Sequence, residues 1–381
     1  MPILSDELLE KKPYIVPIYK HLSIDRFKYL FWNATRKTLL EGKFADKILP
    51  ELLPKLDGTH TLREITADLG HIKEEDIIET ITFLEERGFL QEKTVDDTPY
   101  SDEELDFFKH LLNYFRHFGE DPLKYFNLLK NSQVGLILNG PVGFSAGLHL
   151  ATLGIGHLII ADTGTITADE VALCPGLTDA EAGKLRAEVL KNKIESSNPY
   201  ITVSLISIDV QAGSFTEFLE YSHFVLLCDE DNRGILPALF NTAAVESGKS
   251  FIPVTLSGFS GKIGPVVVPG QTPCIQCLKA REAAVSENFE EETKISELLS
   301  NLDGEDFSYR PPAAILSMIG EIAAVEASRV ISGYTQPVTL NNILFFNSRH
   351  LAIDAHPVLK VPRCKVCGRL NDIPDSRVWG F

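Results

Sequence analysis

Val134-Gly135-Leu136-Ile137-Leu138-Asn139-Gly140-Pro141-Val142-Gly143-Phe144-Ser145-Ala146-Gly147 decides the fold. Its first five residues form an apolar run of strand length, as expected of a strand covered on both faces. A Gly-rich turn follows, then a helix through Leu148, Leu150 and Leu153. Leu158-Ile159-Ile160-Ala161 is a second strand, and it ends at Asp162. Downstream the pattern predicts a helix from about Asp179 to Ser197 and strands over Thr202 to Ile208 and Phe224 to Leu227. Helices alternating with apolar strands imply an α/β fold, a doubly wound, Rossmann-like, mainly parallel sheet.

A Gly-rich turn between strand and helix brings backbone N–H groups and a helix N-terminus against phosphate. A carboxylate closing the second strand can accept a ribose hydroxyl. Gly140, Gly143 and Asp162 are therefore candidate nucleotide-binding residues. The pattern fits NAD, FAD or ATP equally, Pro141 has no N–H to offer, and a purely structural turn reads the same.

Cys274-Ile275-Gln276-Cys277 and Cys364-Lys365-Val366-Cys367 are two C-x-x-C knuckles. Four thiolates at this spacing suit tetrahedral zinc, and a site filled by thiolate is structural. The 86 residues between the pairs imply that the metal pins a distant C-terminal segment to the sheet. Two unrelated pairs, or one redox pair, are the competing reading. Cys228 ends a strand and reads as core, whereas Cys174 falls in a loop.

The 381 residues carry 36 basic and 53 acidic side chains, a net charge of −17, which disfavours binding to phosphate backbones. Six cysteines are too few for a disulfide-stapled fold. Met1 to Lys20 has no apolar signal core, and Val134 to Ala161 is too interrupted by Gly, Pro and Asn to span a membrane. The expectation is a cytoplasmic protein with no membrane or nucleic-acid partner.

Four segments are predicted. Residues 1–95 form a small unit of apolar strands (Tyr14 to Ile18, Phe27 to Trp32) and three helices. The first helix carries Phe44, Ile48, Leu52, Leu53 and Leu56, the second is capped by Thr61, and the third runs through Ile77, Ile81 and Leu84. Residues 96–130 are a helical connector, 131–370 the sheet unit and 371–381 a tail. The acidic stretch Glu287 to Glu305 reads as a surface loop.

Leu153-Gly154-Ile155-Gly156-His157-Leu158-Ile159-Ile160-Ala161-Asp162, Ser197-Asn198-Pro199 and Val267-Val268-Pro269-Gly270 before Cys274 resemble one family over residues 130–370. It is the ubiquitin-activating-enzyme-like adenylating proteins, the ThiF/MoeB group. Gly264-Pro265 and the segment from Cys364 to Gly368 are most similar to its MccB type, which adenylates a microcin peptide. The resemblance implies ATP and Mg²⁺ activating a C-terminal carboxylate, with cations on the phosphates. The family's lysine falls on Arg186, with Lys184 as the nearby substitute, and its magnesium ligand on Asp229 or Asp231. Arg186, Asp229 and Asp231 are thus the catalytic candidates of an active enzyme. This chain departs from the pattern. The family's Arg-bearing stretch reads Glu170-Val171-Ala172-Leu173-Cys174 here, with no cation, and Pro141 and Phe144 dilute the turn.

Lys47-Ile48-Leu49-Pro50-Glu51-Leu52-Leu53-Pro54-Lys55-Leu56-Asp57-Gly58-Thr59 resembles the winged-helix peptide-recognition domain of pathways that modify ribosomally made peptides. There a leader peptide adds as a strand beside the wing and packs on the third helix. Tyr29, Phe31, Ile77, Ile81 and Leu84 are candidates to line that groove, with core as the competing reading. A DNA-reading helix is disfavoured by Glu74, Glu75, Asp76, Glu79, Glu85 and Glu86. The connector, including Phe118-Gly119-Glu120-Asp121-Pro122, joins the two units as in the ThiF-like partner proteins of thiazole/oxazole-modified microcin (bacteriocin) pathways. That resemblance implies a homodimeric, leader-binding partner of a YcaO-type cyclodehydratase. The alternative is a self-sufficient, ATP-dependent adenylating maturase of the MccB/pantocin type. A nicotinamide or flavin oxidoreductase is a third reading, with no use for the knuckles.

Overall fold

A computed structural model describes residues 6–92, 98–119, 121–162, 164–208, 215–230, 234–288 and 310–369, with single positions between 290 and 298. Asp231, the tail 371–381 and most of the acidic stretch lie outside the described residues. The chain divides into two compact units, residues 1–120 and 121–381, a boundary that falls inside the predicted connector.

In the first unit, β1 (Pro13–Ile15) pairs antiparallel with β5 (Leu90–Glu92). β2 (Lys20–Asp25), β3 (Lys28–Trp32) and β4 (Lys37–Glu41) make a separate antiparallel sheet in that order. The first predicted helix is broken into Lys43–Lys47, Leu49–Leu52 and a 3₁₀ turn, Leu53–Lys55. Pro50 and Pro54 cause the break, since proline fits only the first turn of a helix. Thr61 caps Leu62–Asp68 through a capping box with Glu64. Helix Glu74–Glu86 turns Ile77, Thr80, Ile81 and Leu84 inward.

The core of this unit holds Phe31, Leu49, Leu52, Ile77, Ile81, Leu84 and Phe89, with Phe31 stacked on Phe89 at 4.7 Å. Four of the predicted groove residues are therefore interior. Phe31, Ile77, Ile81 and Leu84 are each no more than 2% exposed, and only Tyr29 keeps a partly exposed ring. The apolar spacing that marked them is the spacing that builds a core.

The second unit is an α/β fold on an eight-stranded sheet. Its strands are β6 (Gln133–Ile137), β7 (His157–Ala161), β8 (Thr202–Ile206), β9 (Phe224–Asp229), β10 (Ser250–Ser257), β11 (Ser260–Ile263), β12 (Asn342–Asn347) and β13 (Ala352–Pro357). The order is 13-12-11-10-9-6-7-8. Strands 10-9-6-7-8 are parallel, and β11, β12 and β13 extend the sheet antiparallel. Chain order reverses between β6 and β9, which opens a crevice at their carboxyl ends, the place where ligands bind in such sheets.

One predicted helix starts later than expected, at Arg186 rather than Asp179. Asp179–Glu181 is a separate capped 3₁₀ turn, and Gly183 at φ +79° lets the chain turn before the helix begins. Among the described residues no helix is long and apolar enough to cross a membrane.

Candidate functional site

The crevice is built by three strand ends. After β6, Gly140 takes φ +111° and Pro141 opens helix Pro141–Thr152, the position where a missing N–H costs nothing. Gly143 sits where a Cβ would lie 2.9 Å from Leu138 Cδ1 and 3.1 Å from Cys228 Cβ, so it lets the helix close onto the sheet. After β9, Asp229 and Glu230 are 1% and 3% exposed. Asn139 Nδ2 donates to Asp229 Oδ1 at 3.0 Å. The backbone N–H of Val142, in the helix's first turn, donates to Glu230 Oε1 at 2.6 Å.

After β7, Asp162 is held on both oxygens. Gly164 N–H donates to Oδ1 at 2.8 Å, and Arg186 Nη1 to Oδ2 at 2.6 Å. The other arm of Arg186, Nη2, reaches Glu170 Oε1 at 2.9 Å and the Thr165 carbonyl at 3.3 Å. Glu170 is also the N3 member of the Thr167 capping box, and Arg310 Nη1 stands 3.9 Å from its Oε1. Arg186 and Glu170 are buried at 6% and 3% exposure.

These groups form one electrostatic cluster. Burial pushes the Glu230 carboxyl up to about 8, against the Val142 N–H and Arg310 that favour its charge. Burial also raises Asp162 despite Arg186 beside it. Cys174 is pushed up to about 12 by burial and by Glu170 and Glu230, so its thiol is not a poised nucleophile.

The predicted site residues thus separate. Gly140 and Asp229 both lie at the switch point, where Asp229 accepts from Asn139, Asp162 pairs with Arg186, and Lys184 is exposed in the loop before the Arg186 helix. Arg186 is committed to two carboxylates. Glu170, Glu230 and Arg310 belong to the cluster but were not singled out from sequence. Only Glu230 carried a local signal, one position beyond the strand end at Asp229.

The four knuckle cysteines converge. Their Sγ atoms lie within 4.8 Å of one another, at 3.9 Å for Cys274–Cys277, 3.6 Å for Cys274–Cys364 and 3.5 Å for Cys277–Cys367. Zn–S bonds of about 2.3 Å in a tetrahedron put sulfurs about 3.8 Å apart, so the set fits zinc. Cys277, which takes hydrogen bonds from the Cys274 thiol and Val361 N–H, is held below its ordinary range. All four are buried.

Residues 110–366 match the ThiF family. This chain belongs to the ThiF family. Its ThiF relatives include the heterocyst HesA protein of Trichormus variabilis, 26% identical over 260 residues that span 68% of this chain and 86% of that protein. Molybdopterin-synthase adenylyltransferase of Escherichia coli is 22% identical over 245 residues, 63% of this chain and 89% of the enzyme. Among solved structures, E. coli MccB with ATP and the microcin C7 biosynthetic enzyme MccB with N-formylated MccA each superpose at TM-score 0.66 and 20% identity. Each covers 93% of this chain and 99% of that one, which establishes a shared ThiF-type fold.

Proposed function

We propose that this chain binds the leader segment of a ribosomal precursor peptide and presents the rest of that peptide to a separate YcaO-type cyclodehydratase, which supplies the ATP chemistry. The observation that carries the reading is in the first unit. Among the described residues β4 pairs only with β3, so its outer edge is open to another strand. The helix following β4, Lys43–Lys47, and helix Glu74–Glu86 line a groove of about 810 Å³ with Lys43, Phe44, Lys47, Asp76, Thr80 and Phe83. An open edge gives backbone hydrogen bonds, and a mixed apolar and charged groove gives side-chain selectivity. We read this unit as a winged-helix-like clamp. MccB in complex with N-formylated MccA, a similar fold over 93% of this chain, supports a peptide partner.

The second reading, an adenylating maturase, is favoured by relatives named adenylyltransferases. The commitment of Arg186 to Asp162 and Glu170 weighs against it. If it is right, Asp229 or Asp231 would hold magnesium. Homodimerisation through the sheet unit belongs to the proposal, and light scattering checks it.

Purified protein with leader-bearing peptide should bind it and leave ATP unconsumed. ATP turnover without any partner, abolished by Asp229→Asn or Asp231→Asn, sinks the scaffold reading. Phe83→Ala and deletion of residues 1–95 should each weaken peptide binding, read by fluorescence anisotropy.

A further inference from the structure

We propose that Glu230 is a built-in occupant of the phosphate position in the switch-point crevice, so that the folded chain is closed to ATP by its own side chain. This deepens the reading of the protein as a peptide-presenting partner and rests on it. A nucleotide-binding turn of this type uses glycine so that a phosphate can approach the backbone, and it offers that phosphate an N–H at the head of the following helix. Here both are taken. A Cβ built on Gly140 would lie 2.5 Å from Glu230 Oε1, 2.6 Å from Cδ and 2.8 Å from Oε2, so the Glu230 carboxyl fills the space that the glycine leaves. The same carboxyl accepts the Val142 N–H at 2.6 Å, in the first turn of the 12-residue helix Pro141–Thr152.

Two further features point to an occupant rather than a surface residue. Glu230 is 3% exposed, and its Oε2 has no hydrogen-bond partner among the described residues. A buried carboxyl with one oxygen unsatisfied is costly, which is unusual for a residue with no role. At the ribose end of the crevice Gly164 N–H and Arg186 each donate to one oxygen of Asp162, so that carboxylate is already engaged by the chain. At the turn, a phosphate cannot reach the Gly140 backbone and the Val142 N–H without displacing Glu230.

The test is equilibrium binding of Mg-ATP to the full chain by calorimetry, without peptide or partner. Wild type and Glu230→Gln, which keeps the volume and the acceptor, are expected to show no binding at millimolar ATP. Glu230→Ser, which empties the turn, is expected to bind at least about tenfold more tightly, a difference of about 1.4 kcal/mol. If Glu230→Ser loses its cooperative melt, Glu230→Thr carries the same comparison. Equal affinity of wild type and the folded variant, whether both bind or neither does, overturns the proposal. Leader binding is measured separately on the wild type. Its failure strikes the peptide-presenting reading and leaves the Glu230 comparison standing.

Discussion

Arg186 holds two buried carboxylates at once, Asp162 at 2.6 Å and Glu170 at 2.9 Å. Removing one member of such a group leaves the others charged and unpaired. Arg186→Ala is therefore expected to cost about 3–5 kcal/mol in urea unfolding; a loss below about 1 kcal/mol would mean that the network carries no weight. Glu230 gives a pH dependence of definite sign. Its folded pKa, raised to about 8 by burial, lies above the ordinary 4.5. The folded chain thus keeps a proton that the unfolded chain releases. Its stabilising contribution is complete below about pH 4.5 and fades as pH rises to about 8, by at most about 1.4 kcal/mol per unit. Relative to Glu230→Gln, wild type should lose stability across that window, and superimposable pH profiles would refute it. Asp162 was legible because it closes an apolar strand. The pairing of Arg186 with Asp162 and Glu170 was not, since Glu170 and Arg186 sit on separate helices and no periodicity links them.

At the scale of elements, helix Ala313–Ser332 lies against helix Pro141–Thr152 through Gly320, where a Cβ would come 2.5 Å from the Val142 carbonyl oxygen and 2.9 Å from Ala146 N. Both neighbours are backbone and cannot rotate away. Gly320→Ala should push the helices apart and cost about 1–3 kcal/mol, seen as a lower Tm. An unchanged Tm would mean that the helices separate freely. β6, β7 and β9 were readable from sequence because burial on both faces leaves nearly unbroken apolar runs, whereas the parallel strand β10 was not singled out. β2 and β13 were not either, being almost wholly exposed along their length; the Leu22 and Ile24 alternation in β2 is too short to stand out and faces solvent. Their pairing is fixed by neighbouring strands, which a local reading does not reach. The broken helix near Pro50 shows the converse: the apolar spacing was right, and proline chemistry overrode its continuity.

Across the whole molecule, the two knuckles tie residues 274–277 to 364–367. One zinc per chain is expected by elemental analysis. Cys364→Ser or chelation should speed hydrogen exchange in residues 358–368, and a fully protected, metal-free protein would exclude the site. The spacing also dictates when this clasp can shut. Cys277 and Cys364 are separated by 86 intervening residues, among them β12, β13 and the Ala313–Ser332 helix. At about 5–20 residues per second the ribosome needs roughly 4–17 s to deliver the second pair after the first. For that interval the early thiols stand without their partners, and a metal that needs all four sulfurs can be held only once Cys367 has been made.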